Sequence, residues 1–379
     1  MTSTTADPAS LSNPLPLGLE TARVWALHLL CFVLPLACLA FTQTAPHAWW
    51  ASIPWFGVVV ASVIADVRSN KERRQPAELM PDWPFTGVLF ALTGLQLVNV
   101  ALYVRMVSLH GFWRMDTLIG LLLQGITSGY SGIVVAHELI HRKEKHLQTM
   151  GRFLLGAVLY EHFFTEHIRG HHVRVGTPAD PATARFGETR VQHLRRNLPE
   201  QLKSAWKLEC TRLGDATLPL LDRRQLGNRV LHGLVAEWAV AALVLAAWGP
   251  GAFVAYVGQA WIAITLLECV NFFEHWGLTR DGRRVQPMDS WDTSSWFTLY
   301  TLVGLSRHAD HHANSTRPYQ QLRYFSESPK LPSGYFGMVV LAVFRPKHYQ
   351  ELMTRHLQMR KLGPFAETAP EGVQSTPSM

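Results

Sequence analysis

With 379 residues, 48% apolar side chains and only 17% charged ones, the chain is too hydrophobic for a string of soluble domains. Its net charge of +7 is gathered in particular loops, a membrane-topology signal and not a nucleic-acid one. Six stretches approach or exceed the roughly 20 residues that cross a bilayer as a helix: 24–42, 47–66, 84–104, 115–136, 230–248 and 252–273. The expected fold is therefore all-α. It is one membrane-embedded domain over 23–360, a polytopic six-helix transmembrane bundle with a cytoplasmic helical cap.

In chain order, residues 1–22 read as a disordered or surface arm, without the basic-then-apolar pattern of a cleavable signal peptide. Pro35 is expected to kink the first span. Trp49, Trp50 and Trp55 open the second as an interfacial belt, with Trp55 also placed to face a substrate cavity. Arg68, Lys71, Arg73 and Arg74 put the next loop in the cytoplasm, together with the N-terminus. Gly125, Gly129 and Gly132 in the fourth span allow close helix packing or line a narrow channel. That span ends in His137-Glu138-Leu139-Ile140-His141.

The polar region 142–229 is too long for a bare loop. Within it, 152–164 reads as a short re-entrant or interfacial helix delivering His167, His171 and His172, and 191–213 as an amphipathic surface helix. Spans five and six form a hairpin about Gly249, Pro250 and Gly251, and the sixth delivers His275 to the same edge as His137. Arg307 to His312 reads RHADHH, and 334–344 is a short apolar piece. Residues 361–379 read as a disordered tail.

Histidines four apart share a helix face, which pairs His137 with His141, His167 with His171, and His308 with His312. With His172, His275 and His311 they make nine converging imidazoles, too many for one ion and enough for two. Imidazole suits iron, copper and zinc alike. Among nearby carboxylates, Glu138, Glu166 and Asp310 are expected to accept the second ring N–H of ligand histidines, with Glu274 a fourth candidate. The four cysteines, Cys31, Cys38, Cys210 and Cys269, include no Cys-x-x-Cys pair, so no thiolate metal module is expected. Trp55, Gly129, Ile133 and Ile140 are candidate walls of a substrate channel. No catalytic side chain is expected beyond the metal site.

The order HELIHRKEKH, HFFTEHIRGHH with TPADPATARFGE, NFFEHWGL and LSRHADHHANSTRPYQQLR resembles the integral-membrane alkane 1-monooxygenases over about residues 85–360. The resemblance implies two iron ions held by His137, His141, His167, His171, His172, His275, His308, His311 and His312. It implies a six-span fold in the bacterial inner membrane. It also implies terminal hydroxylation of n-alkanes with O2 and electrons from a separate rubredoxin and its reductase. The family usually has Gly at Ile140, Tyr at Trp276 and Ser-Trp-Asn-Ser at Ser290-Trp291-Asp292-Thr293, departures that spare every ligand. Xylene- or cymene-type methyl hydroxylation and fatty-acyl desaturation or hydroxylation are the alternative chemistries. A metal transporter fits poorly, since the spans hold few ionisable residues apart from Glu237 and Glu268.

Overall fold

The computed structural model describes residues 15–280, 282 and 284–366. Among these the chain is helical, with two isolated β-bridges (Lys71 with Ser295, Asp292 with Lys330) and no strand. Five helices are long and apolar enough to cross a membrane: α1 Leu17–Thr44, α2 Trp49–Val67, α3 Trp83–His110, α4 Met115–Ile140 and α7 Arg229–His275. Between the last two lie α5 Lys145–Gly156 and α6 Arg190–Arg212, and the helices that follow include α8 His308–Ala313, α9 Tyr335–Phe344 and α10 Pro346–Arg360.

The helix boundaries follow from local chemistry. Helix α1 begins directly after Pro16, whose fixed φ favours a helix start, so Leu17 to Ala22, within the stretch read as a disordered or surface arm, are helical and mostly exposed. The Glu20–Arg23 pair lies within its first turns. Residues 1–14 and 367–379 lie outside the described part. Leu29–Phe32 tightens into a 3-10 turn immediately before Pro35, whose ring leaves a backbone carbonyl of the preceding turn without its usual donor. Helix α7 breaks at Gly249, whose φ of 82° suits glycine, and Pro250 follows. Its two arms fold back: Gly251 abuts Phe112 at the end of α3, whereas Gly233 and Glu268 both reach the 160–161 turn near the opposite end.

Small residues set the helix spacing. In α4 a Cβ on Gly125 would sit 2.5 Å from Ile262, and one on Gly129 would make ordinary 3.4 Å contact with Leu266. Gly125→Leu is therefore expected to cost about 1–3 kcal/mol by overpacking, while Gly129→Ala is neutral or slightly stabilising by helix propensity. Thermal unfolding of the detergent-solubilised protein reads the difference. Equal Tm values for the two variants would contradict this packing.

Helix α6 departs from the amphipathic reading. Its buried stripe is His193, Asn197, Gln201, Ala205 and Glu209, and Leu194, Leu198 and Leu202 are only half-buried. The stripe is polar because it faces a buried carboxylate: Glu268 accepts from Asn197, from Gln201 at 3.0 Å and from Tyr160 at 2.8 Å. These bonds offset much of the cost of burying the polar groups, although the Asn197 Oδ1 stays without a partner.

Candidate metal centre

Helix α4 carries a π-helical turn, Ser128–Ile133, and then His137 and His141 one α-turn apart at its end. Helix α5 lies close beneath them; a Cβ on Gly151 would sit 2.8 Å from Ile140 and 2.9 Å from the Ala136 carbonyl. This helix begins at Lys145, earlier than the expected 152, and a turn through Leu159 (φ 56°) leads from it to the second histidine box. His167–His171 is again a π-helical turn. A π-turn aligns residues five apart, not four. His167 therefore meets His172, with Nε2 atoms 3.1 Å apart, whereas His171, its ring stacked on that of His167 with centroids 5.3 Å apart, joins a different group of histidines. This corrects the expected pairing of His167 with His171.

The nine histidines resolve into two groups. In the first, His137, His141, His167, His172 and His311 bring one ring nitrogen each to within 4.8 Å of one another. In the second, His171, His275, His308 and His312 do the same. Helix α8 feeds both: His308 and His312 face one group and His311 the other. All but the half-buried His172 are buried.

Such a gathering of imidazoles has no structural logic without cations. His141 Nε2, His171 Nε2, His275 Nδ1, His308 Nδ1 and both nitrogens of His312 are buried without a hydrogen-bond partner. Each such group costs about 1–3 kcal/mol if left unsatisfied. Burial, then mutual repulsion, holds His167, His172, His308, His311 and His312 well below the usual histidine range. They are consequently neutral lone-pair donors, the form a metal requires. Five and four imidazole nitrogens fit two divalent ions of the imidazole-binding kind.

The sequence of the fatty acid desaturase family profile matches residues 113–341, which span all nine histidines. Alkane 1-monooxygenase 1 of Pseudomonas aeruginosa is 35% identical over 345 residues, covering 87% of this chain and 89% of that protein. The chain belongs to the alkane 1-monooxygenase family. Alkane 1-monooxygenase 2 of the same organism is 34% identical over 359 residues, 89% of this chain and 92% of its own length. The xylene/toluene monooxygenase hydroxylase component of Pseudomonas putida is 26% identical over 215 residues, 54% of this chain and 55% of its own.

Of the four carboxylates expected around this centre, Glu274 lies beside one of its histidines and the other three find different partners. Glu138 accepts from Arg142 at 2.8 Å and from the Tyr319 backbone N–H at 3.2 Å. Glu166 accepts from Arg174 at 2.6 Å, and Asp310 from Asn314 at 2.7 Å and the Arg323 N–H at 2.7 Å. These three brace the histidine-bearing segments through arginines and backbone, where direct contact with a ligand imidazole was expected. Glu274 is the carboxylate beside a histidine: its Oε2 lies 3.3 Å from His308 Nε2, and Tyr335 donates to its other oxygen at 2.5 Å.

Asp180 had no role assigned from sequence, yet its Oδ2 lies 2.9 Å from His171 Nδ1 and accepts from Thr183 at 2.6 Å. Burial opposes its charge, but His171 and Thr183 outweigh that and hold the carboxyl at about 2. With Nδ1 turned to a carboxylate, Nε2 is the nitrogen left for a metal. The only signal was proximity, nine residues after His171 in the TPADPATARF stretch.

The four channel candidates sit in packed surroundings. Ile133 and Ile140 are 1% exposed, and Gly129 abuts Leu266. Trp55 packs on Phe41 and His47, each with a centroid separation of 5.8 Å. His47 binds Asp116, which opens α4 roughly 30 Å of helix before His137. Trp55 is thus at the far end of the bundle. His146 is exposed; His162 is buried beside Tyr160 and belongs to neither group.

Proposed function

We propose that this protein hydroxylates the terminal methyl of medium- and long-chain n-alkanes to primary alcohols, using O2 and electrons from rubredoxin and its reductase. Carrying this reading is the five-plus-four grouping of histidines in a chain that aligns with alkane 1-monooxygenases over most of its length. His137, His141, His167, His172 and His311 would hold one iron ion, and His171, His275, His308 and His312 the other. Iron bound there supplies the activation of O2 and the oxidation of the C–H bond. The balance is one alkane, one O2, two electrons and two protons giving one alcohol and one water.

The chain's own residues supply position. Asp180 keeps the proton of His171 on Nδ1, and burial keeps bulk water from the imidazoles. An alkane offers no polar handle, so apolar walls must orient it, each buried methylene contributing about 0.8 kcal/mol.

The two arms of α7 make six crossings in this reading, and Arg68, Lys71, Arg73 and Arg74 put the loop after α2, both termini and the histidines on the cytoplasmic side of the bacterial inner membrane. Product analysis with rubredoxin, its reductase and a panel of n-alkanes, alkylbenzenes and free fatty acids tests the substrate. 1-Alkanols are the expected main products. Benzylic alcohols alone, or desaturated acids, would replace this reading with one of the alternative chemistries.

A further inference from the structure

Electrons must reach a centre whose ligands are buried. One ligand, His275, is followed in the chain by Trp276, which is fully buried. The indole is fixed: its Nε1 donates to the Glu188 carbonyl at 2.9 Å, and its ring packs against Tyr349 with centroids 5.8 Å apart. The peptide on either side of His275 is fixed as well. Trp291, also fully buried, donates its backbone N–H to the Glu274 carbonyl at 2.8 Å and its Nε1 to the Trp276 carbonyl at 3.0 Å. Outward from Trp276 stands Phe186, with centroids 5.4 Å apart, and Phe186 meets Phe365 edge-on at 5.5 Å. Phe186 is 45% exposed, so this aromatic run connects the surface to the backbone of a candidate ligand.

The surface end has a basic rim. Arg185 adjoins Phe186, and Arg360 and Lys361 precede Phe365 by a few residues; all three are exposed. Glu188, the acidic group between them, is committed to Arg196 at 2.8 Å. An exposed apolar centre with a positive rim suits an acidic protein with an apolar patch over its redox group. Arg196, by contrast, also spends its donors on the Pro181 and Thr183 carbonyls.

We infer that the Phe186–Phe365 patch is the docking site of the one-electron carrier and that Trp276 bridges it to His275. This rests on the carrier-dependent monooxygenase reading above. In each of two encounters a reduced acidic iron–sulfur carrier would lose one electron to the iron that His275 would help to hold, so two encounters supply the two electrons of the reaction. Trp276 is itself neither oxidised nor reduced; it narrows the gap the electron must tunnel across.

The test is anaerobic stopped-flow oxidation of reduced rubredoxin by the oxidised, iron-loaded full chain, with carrier affinity measured in parallel. Arg185→Glu is expected to weaken carrier binding about tenfold and to flatten its salt dependence. Trp276→Leu should slow electron transfer at saturating carrier more than tenfold with affinity unchanged, and Trp276→Phe should restore most of the rate. Phe186→Ala, a surface change that spares folding, should slow transfer as well. Iron content and reduction by dithionite should match the unmutated protein throughout. Unaltered carrier oxidation in both Arg185→Glu and Phe186→Ala would overturn the port alone. If the unmutated chain cannot oxidise rubredoxin, the carrier reading fails and the port with it.

Discussion

His171→Ala is expected to abolish alkane hydroxylation, with less than about 1% of the activity remaining, and to remove roughly one iron per chain. His171 belongs to the four-histidine group, so its loss leaves three nitrogens from His275, His308 and His312. Removing a group that merely orients a ligand typically costs 10–100-fold in metal affinity or activity, so removing the ligand itself must cost more. The five-histidine group does not include His171 and should keep its ion. The loss should therefore be selective: a protein with half its iron, still folded, and inactive. Elemental analysis beside a thermal melt checks it. Full activity in an iron-loaded His171→Ala protein would contradict the ligand assignment.

The second large effect is expected at Asp180. Asp180→Leu takes away the acceptor of His171 Nδ1 and leaves Thr183 without its partner at 2.6 Å. A loss of about 10–100-fold in metal affinity or activity is expected. Asp180→Asn keeps an acceptor and loses the charge, and should fall between the two. The carboxyl's native value of about 2 lies below its ordinary 3.8. A depressed value means that its stabilisation is complete above the ordinary value and is lost as pH falls through the native one. Around neutral pH Asp180 stays ionised, so its titration should not alter metal retention in the unmutated protein, whereas the Leu variant should lose metal there. Chelator-challenge rates at pH 7 measure this, and equal rates for Asp180→Leu and the unmutated chain would contradict the role.

How much of this was legible in sequence depends on range. The histidines could be read because their spacing is local: His137 and His141 share a face by helix geometry alone, and a run such as RHADHH has few other uses. The hairpin between the arms of α7 was legible for the same reason, since Gly249, Pro250 and Gly251 break any helix. The split into five and four was not legible, because it depends on a π-turn at His167–His171 that no residue type announces. The carboxylates failed on direction. Glu138, Glu166 and Asp310 are adjacent to histidines in the chain, yet a helix sends neighbouring side chains to different faces, and theirs went to Arg142, Arg174 and the backbone of Arg323. Asp180 reaches His171 through a loop whose path spacing does not fix. The polar stripe on α6 was hidden because its partner, Glu268, lies 71 residues from Asn197 and 67 from Gln201.

Iron content of the purified, unmutated chain, set beside that of His171→Ala, bears most directly on the two-group arrangement. About two iron atoms per chain in the former and about one in the latter are predicted. One ion per chain in a fully active unmutated protein, or zinc as its only metal, would contradict it.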